Sequence, residues 1–115
     1  MKTANLLGTV VGIVALLGGL TGCDNSVPPE KARYVGEWKD LTMQLLITRD
    51  GSVKYERVKG PTTTKVSGPL KGFEGDDFEV GFGPFSTTFV VSKPPYLAGN
   101  EWRMVVDDVE LVKVN

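Results

Sequence analysis

The sequence predicts an all-β fold, a small antiparallel meander of seven or eight short strands that closes into a barrel or a sandwich. The 115-residue chain contains 14 glycines and 7 prolines, which indicates many turns in a short length. Between these turns, apolar residues recur at every second position, as in strands with one buried face. We expect the sheet to close on itself because closure removes exposed strand edges.

The composition excludes several functional classes. Lysine and arginine total 13 against 14 aspartates and glutamates, and no basic run indicates a nucleic-acid partner. The chain has no histidine, so the commonest general base and metal ligand is missing. Its single cysteine, Cys23, cannot form an intrachain disulfide. We therefore expect a non-enzymatic protein without a metal or cofactor.

Residues 1–22 have the features of a secretory signal peptide. Lys2 provides a positive start, and residues 6–20 are apolar or small throughout. This apolar run is shorter than the ~20 residues that a transmembrane helix needs. An ordinary secretory signal or a short anchor helix would share these features. The residues at the end of the apolar run distinguish these alternatives from a lipoprotein signal.

The apolar run ends in Leu20-Thr21-Gly22-Cys23. This tetrapeptide resembles the lipobox of bacterial lipoproteins, in which a leucine, a small residue and Gly or Ala precede an obligatory cysteine. The resemblance, which covers residues 1–24, implies that the bond between Gly22 and Cys23 is cleaved. It also implies that the Cys23 thiol carries a diacylglycerol thioether and that the freed amine is acylated.

The lipid would anchor the protein in a membrane of the bacterial cell envelope. Two or three acyl chains hold a protein there effectively permanently, whereas one chain is marginal. Asp24 resembles the residue that retains lipoproteins in the inner membrane of enteric bacteria, facing the periplasm. That rule differs among bacteria, so Asp24 only hints at the inner membrane.

Residues 23–35 are expected to form the lipid-anchored tether, and residues 36–115 the β domain. Pro28 and Pro29 favour an extended spacer. One helical turn is expected over residues 30–34, because proline is well tolerated at a helix start.

The first strand of the domain alternates strictly between two faces. The apolar face consists of Leu41, Met43, Leu45 and Ile47. A three-residue loop, Arg49-Asp50-Gly51, would pair Ile47 with Val53 and Leu45 with Tyr55. A two-residue loop would mix the two faces, so we predict the longer one.

Gly60-Pro61 and Gly68-Pro69 are expected to interrupt the strands that follow. Residues 62–67 between them are β-prone but polar, which indicates an exposed or edge strand. A short strand is predicted over 70–73, followed by two alternating strands that begin near Phe78 and Phe85 and are separated by a Gly83-Pro84 turn.

Residues 93–100 are predicted to form the longest loop, and its exposed tip, Tyr96 and Leu97, is a candidate contact for a partner. Alternatively, Tyr96 folds back over the mouth of the barrel. The last hairpin joins residues 102–106 to 109–114. A two-residue Asp107-Asp108 loop keeps its faces consistent, because it pairs Val106 with Val109 and Met104 with Leu111.

Gly36-Glu37-Trp38 resembles the Gly-x-Trp motif on the first strand of lipocalins and related calycins. The resemblance implies that Trp38 closes one end of a barrel and packs against a basic residue from a late strand, for which Arg103 is the candidate. The domain is too short for an ordinary lipocalin, which favours the alternative that Trp38 is an ordinary core residue. A barrel this small is expected to be filled by side chains rather than by a ligand.

Two further patterns each allow a functional and a purely structural interpretation. Glu74, Asp76, Asp77 and Glu79 form an acidic cluster that could bind Ca²⁺, although a solvated turn explains it better. Thr62-Thr63-Thr64 could pair with another chain by strand addition, or could be a polar edge.

Taken together, these patterns predict a membrane-anchored lipoprotein whose β domain binds a protein or another envelope component. The alternative is a carrier of a small apolar ligand in a calycin-like cavity.

Overall fold

The computed structural model describes residues 26–114. The predicted signal peptide over residues 1–22, the predicted cleavage and lipidation site at Gly22 and Cys23, and Asp24 lie outside this range. A 3-10 helix, Pro29–Tyr34, is followed by nine strands: β1 (Gly36–Lys39), β2 (Met43–Ile47), β3 (Ser52–Lys59), β4 (Thr62–Glu74), β5 (Asp77–Phe82), β6 (Phe85–Phe89), β7 (Val91–Ala98), β8 (Glu101–Val106) and β9 (Val109–Lys113).

The strands form one antiparallel sheet in the order β6-β5-β4-β3-β2-β1-β9-β8-β7, curled into a half-barrel. The all-β prediction is confirmed. The described residues contain nine strands rather than seven or eight. Residues 36–39 and 91–98 form two strands that were not predicted, and the strands predicted over 62–67 and 70–73 form a single strand. Pairing of β1 with β9 brings the two ends of the domain together through Trp38 and Lys113.

The first and last predicted hairpins are confirmed in register. Ile47 pairs with Val53 and Leu45 with Tyr55, and Gly51 has φ +89°, in the left-handed region that a three-residue loop requires. Asp107 and Asp108 also have positive φ, 48° and 67°, so the two-residue turn between β8 and β9 is tight.

The break predicted at Gly68-Pro69 is wrong, because β4 is a single 13-residue strand that passes through it. Residues 62–69 pair with β3, and residues 70–74 pair with β5. Pro69 lies immediately before the position where β4 changes partner, which explains how a residue without an N–H is accommodated within the sheet.

The loop predicted over residues 93–100 is also wrong. Residues 91–98 form β7, which pairs with β8 at one end of the sheet order. Two register shifts flank Lys93, and Pro94 and Pro95 follow it. Prolines are tolerated on an edge strand because only one side needs hydrogen-bond donors, so a sequence typical of a loop forms a strand here.

The core lies on the concave side of the sheet. Its fully buried side chains are Trp38, Met43, Leu45, Ile47, Val53, Phe78, Val80, Phe89, Met104, Val106 and Leu111. Leu41, predicted on the same face as Met43, is instead fully exposed in the turn before β2. Phe78 on β5 and Phe89 on β6 stack with ring centroids 5.0 Å apart. Together they pack the β5–β6 hairpin against the core.

The helical turn predicted over residues 30–34 is a 3-10 helix that packs against the sheet. Val27 donates its backbone N–H to the Arg49 carbonyl at 3.1 Å, and its side chain packs on the core. Tyr34 is buried at the end of the helix. The second half of the expected tether, from Val27 onward, therefore lies on the domain.

Candidate interaction site

An apolar depression lies on the convex face of the sheet, across β1 to β4. Its cross-strand row is Glu37, Leu46, Lys54 and Ser67, with Leu46 half-buried between two charged neighbours. The depression has a volume of about 300 Å³. We call it the outer groove. An apolar floor with charged side chains at its margin is typical of a surface that receives another chain.

One side of the outer groove is bordered by a strand with an unpaired edge. Residues 62–67 of β4 pair with β3, whereas the pairing with β5 begins only at Leu70. Lys59 and Thr62 flank a two-residue turn and form a hydrogen-bonded pair, so alternate residues from Thr62 direct their backbone groups toward β3. Thr63, Lys65 and Ser67 therefore direct theirs away from β3. We call residues 62–67 the open edge.

The open edge carries an uneven distribution of charge. From Arg57 to Phe73 the sequence has four basic residues and no acidic one, and the nearest acidic residue, Glu56, lies opposite Lys65 on the paired side, on β3. Lys65 lies at the centre of the open edge and is exposed. A peptide that adds to this edge would find backbone donors and acceptors together with positive charge, which favours an acidic or neutral segment over a basic one.

The two predicted contact residues lie elsewhere, on β7. The Tyr96 hydroxyl donates to the Glu110 carboxylate, and this hydrogen bond raises the pKa of Tyr96 and lowers that of Glu110. Glu110 also accepts from Arg103, at 3.4 Å. Tyr96 therefore belongs to a polar cross-strand network, while Leu97 beside it is exposed. Neither residue is at a loop tip, and their role as a partner contact stays a prediction.

The cation over Trp38 is Lys113, whose Nζ lies 5.5 Å from the ring centroid. Arg103, the residue expected in that position, pairs instead with Glu101 at 2.9 Å and with Glu110. A basic residue from the last strand does contact the tryptophan of the first strand, but it is not the expected one. Trp102 has its own cation, Arg33, at 4.7 Å.

The acidic cluster is spread around the turn between β4 and β5. Asp76 lies 3.8 Å from the Lys31 amine, and an Asp77 oxygen accepts the Val91 N–H at 2.8 Å. Within residues 26–114, no group of three or more acidic side chains is arranged to hold a metal ion. The carboxylates near this turn connect neighbouring elements instead.

The interior of the half-barrel bears on the carrier hypothesis. Trp38, Phe78 and Phe89 are all fully buried on the concave side, together with the aliphatic core. Tyr55 packs against Phe89 with centroids 4.8 Å apart. These side chains occupy the space that an apolar ligand would need, so the surface rather than the interior offers the candidate site.

Comparisons with protein families, with curated proteins and with solved structures found no match to this chain. In the part of the chain that the structure describes, no helix has the length and apolar character needed to cross a membrane.

Sequence reasoning identified the polar strand over 62–67 but not the outer groove beside it. The groove combines residues from four strands, and Glu37, Leu46 and Lys54 become neighbours only through the pairing of β1, β2 and β3. The one available signal was the polar, β-prone composition of residues 62–67, which already favoured an edge.

Proposed function

We propose that the protein is a lipid-anchored lipoprotein of the bacterial envelope whose half-barrel binds an extended segment of a partner protein at the open edge. The observation that carries the binding proposal is the unpaired side of residues 62–67 within an otherwise continuous sheet. The lipobox at residues 20–23 supports the anchor. Neither part of the proposal requires catalysis.

Strand addition suits this edge for three physical reasons. Three outward-directed residues, Thr63, Lys65 and Ser67, supply alternating N–H and C=O groups to an incoming strand. The edge is about 20 Å long, enough for a short strand. Lys65 and the neighbouring Lys59 favour an acidic or neutral segment. Side chains of that segment would lie beside Lys65 and Ser67, which line the β4 side of the outer groove.

The anchor is tested by growing bacteria that express the protein with a clickable fatty acid. The native chain should incorporate the label and sediment with membranes, and Cys23→Ser should do neither. Because Cys23 is the only cysteine, no other thiol can substitute for it. Labelling of the Cys23→Ser variant at the native level would overturn the anchor.

The open edge is tested by placing a photo-crosslinking amino acid at Ser67 in living cells. A discrete adduct is expected there and not at Thr88, an exposed position on β6. Lys65→Pro removes an outward N–H without removing a hydrogen bond to β3, so it should abolish the adduct while the domain stays folded. Lys65→Ala, the matched control, removes the same charged side chain but keeps the backbone N–H, so it should weaken the adduct less. An adduct that survives Lys65→Pro would contradict strand addition.

A further inference from the structure

The hairpin between β5 and β6 ends in two exposed phenylalanines. Phe82 and Phe85 are cross-strand partners on either side of the Gly83-Pro84 turn, and they are 68% and 78% exposed. We call residues 82–85 the aromatic tip. Two adjacent aromatic side chains that contribute little to the core are typical of a surface that contacts an apolar phase or a partner.

The start of the described chain fixes where the lipid anchor would be. Val27 is held by its backbone hydrogen bond to Arg49 and by packing on the core. Cys23 lies three residues before Ser26, and three residues of extended chain span at most ~11 Å. If Cys23 is acylated, which rests on the proposed function, Ser26 must lie within that distance of the lipid headgroups. The anchor therefore holds the domain against the bilayer.

The aromatic tip is connected to this end of the domain through Lys71. Ser26 and Lys71 line the same surface depression, next to residues 70–73 of β4. The Lys71 Nζ donates to the Gly83 carbonyl, at 2.7 Å, in the turn of the aromatic tip. Lys71 is exposed, so a cation lies between the anchored end and the two phenylalanines.

We propose that the aromatic tip is a second membrane contact, in which Phe82 and Phe85 insert at the boundary between headgroups and acyl chains. Lys71 would lie at the level of anionic headgroups, where a basic side chain is attracted. The lipid on Cys23 supplies the affinity, and the aromatic tip fixes the orientation of the domain on the bilayer. A lipid surface fits these residues better than a protein does, because the short link forces this region to lie close to lipid.

The test uses the full, processed protein reconstituted in vesicles of phosphatidylethanolamine and phosphatidylglycerol. Acylation blocks Cys23, so a cysteine introduced at Pro84 is the single reactive thiol for a fluorescent label. Leu41→Cys is the matched control. Leu41 is fully exposed and precedes β2, whereas Arg49, which holds Val27 near the anchor, follows β2, so the two lie at opposite ends of that strand. Lipids that carry a nitroxide quencher report proximity of the label to the bilayer.

Quenching at position 84 is expected to exceed that at position 41 about threefold. It should fall to the level of position 41 when Phe82 and Phe85 are both replaced by serine, a change to two exposed side chains that leaves the core intact. Equal quenching at positions 84 and 41, or quenching at 84 that survives the double replacement, would overturn the membrane contact. A label at 84 that is shielded in cells but not in these vesicles would point to a protein partner and would also overturn it.

Failure of the anchor gives a different result. If the native chain, before any cysteine is introduced, reacts with a thiol reagent after denaturation, Cys23 is not acylated. That outcome overturns the proposed anchor, and the membrane contact with it. A native chain without a reactive thiol, combined with equal quenching at both positions, overturns the membrane contact alone.

Discussion

The indole of Trp38 donates its Nε1–H to the backbone carbonyl of Tyr34 at 2.9 Å, inside the core. This hydrogen bond joins β1 to the 3-10 helix that precedes it. The Tyr34 hydroxyl in turn donates to the Asp76 carbonyl at 2.9 Å, in the turn between β4 and β5. One buried pair therefore ties the start of the domain to its first strand and to a distant hairpin.

Replacing Trp38 by phenylalanine should destabilise the fold by about 2–4 kcal/mol. The smaller ring leaves a cavity, and the buried Tyr34 carbonyl loses its hydrogen-bond donor. Trp102→Phe is the control, because Trp102 is only partly buried beneath Arg33 and should cost clearly less. Urea unfolding of both variants measures the difference, and equal losses would contradict the role given to the Trp38 hydrogen bond.

The stability of the protein should decline in alkali through Tyr34. Burial, followed by the nearby charges of Asp76 and Asp77, raises the pKa of Tyr34 from 10.0 to about 12. The folded state thus keeps the proton to higher pH than the unfolded chain does. The contribution is fully present below pH 10 and is lost as the pH rises through about 12.

Urea unfolding from pH 8 to 12 should therefore show a falling free energy of unfolding, with a shallower fall in Tyr34→Phe. That variant also loses the hydrogen bond to Asp76, so at pH 8 it should be less stable by about 1 kcal/mol. Tyr55 and Tyr96, whose pKa values are also raised, account for the fall that remains in Tyr34→Phe. A pH profile of Tyr34→Phe that parallels the native one would show that Tyr34 does not set the alkaline limit.

Gly81 and Gly72 form a matched pair for a steric prediction. Their φ values are similar, 153° and 156°, but a Cβ on Gly81 would lie 2.0 Å from the Phe85 carbonyl oxygen, whereas one on Gly72 meets nothing within 4 Å. Gly81→Ala must therefore displace backbone in the β5–β6 hairpin. It should cost about 1–3 kcal/mol more than Gly72→Ala in thermal or urea unfolding. Similar losses in both variants would contradict this.

The turn between β8 and β9 offers a stabilising change. Asp108 has φ 67°, a left-handed conformation that glycine adopts without strain. Asp108→Gly should therefore raise the free energy of unfolding by about 0.5–1 kcal/mol. Asp107→Gly relieves a similar strain but removes the carboxylate that accepts the Val90 N–H at 3.1 Å, so it should not gain as much. An Asp107→Gly variant more stable than Asp108→Gly would show that the hydrogen bond from Val90 to Asp107 does not stabilise the fold.

Local features of the sequence predicted the hairpins well. The pairing of Ile47 with Val53 and of Met104 with Leu111 could be predicted, because strand periodicity and turn chemistry both act over a few residues and both gave the same register. The same reasoning failed at Pro94 and Pro95. Their preference for loops was overridden by pairing of β7 with β8 at the edge of the sheet, where missing donors can face solvent.

The candidate site could be predicted only in part. The polar composition of residues 62–67 indicated an edge, but the open edge exists because β4 exchanges β3 for β5 at Leu70. That exchange depends on how far the β5–β6 hairpin is displaced along β4, which no short stretch of sequence encodes. The exposure of Phe82 and Phe85 has the same origin, since their alternation matches that of the buried Phe78 and Phe89.

By itself, the sequence determined the all-β class and the registers of the first and last hairpins, and its resemblance to a lipobox at Cys23 predicts a lipid anchor. These follow from residue periodicity, turn conformation and a short linear motif. Only the tertiary structure decided the half-barrel order of the strands, the packing of Val27 and Tyr34 on the domain, and the position of the open edge and the aromatic tip. Each of these depends on contacts between residues far apart in the chain, whose free energy is set by the packing of the whole sheet.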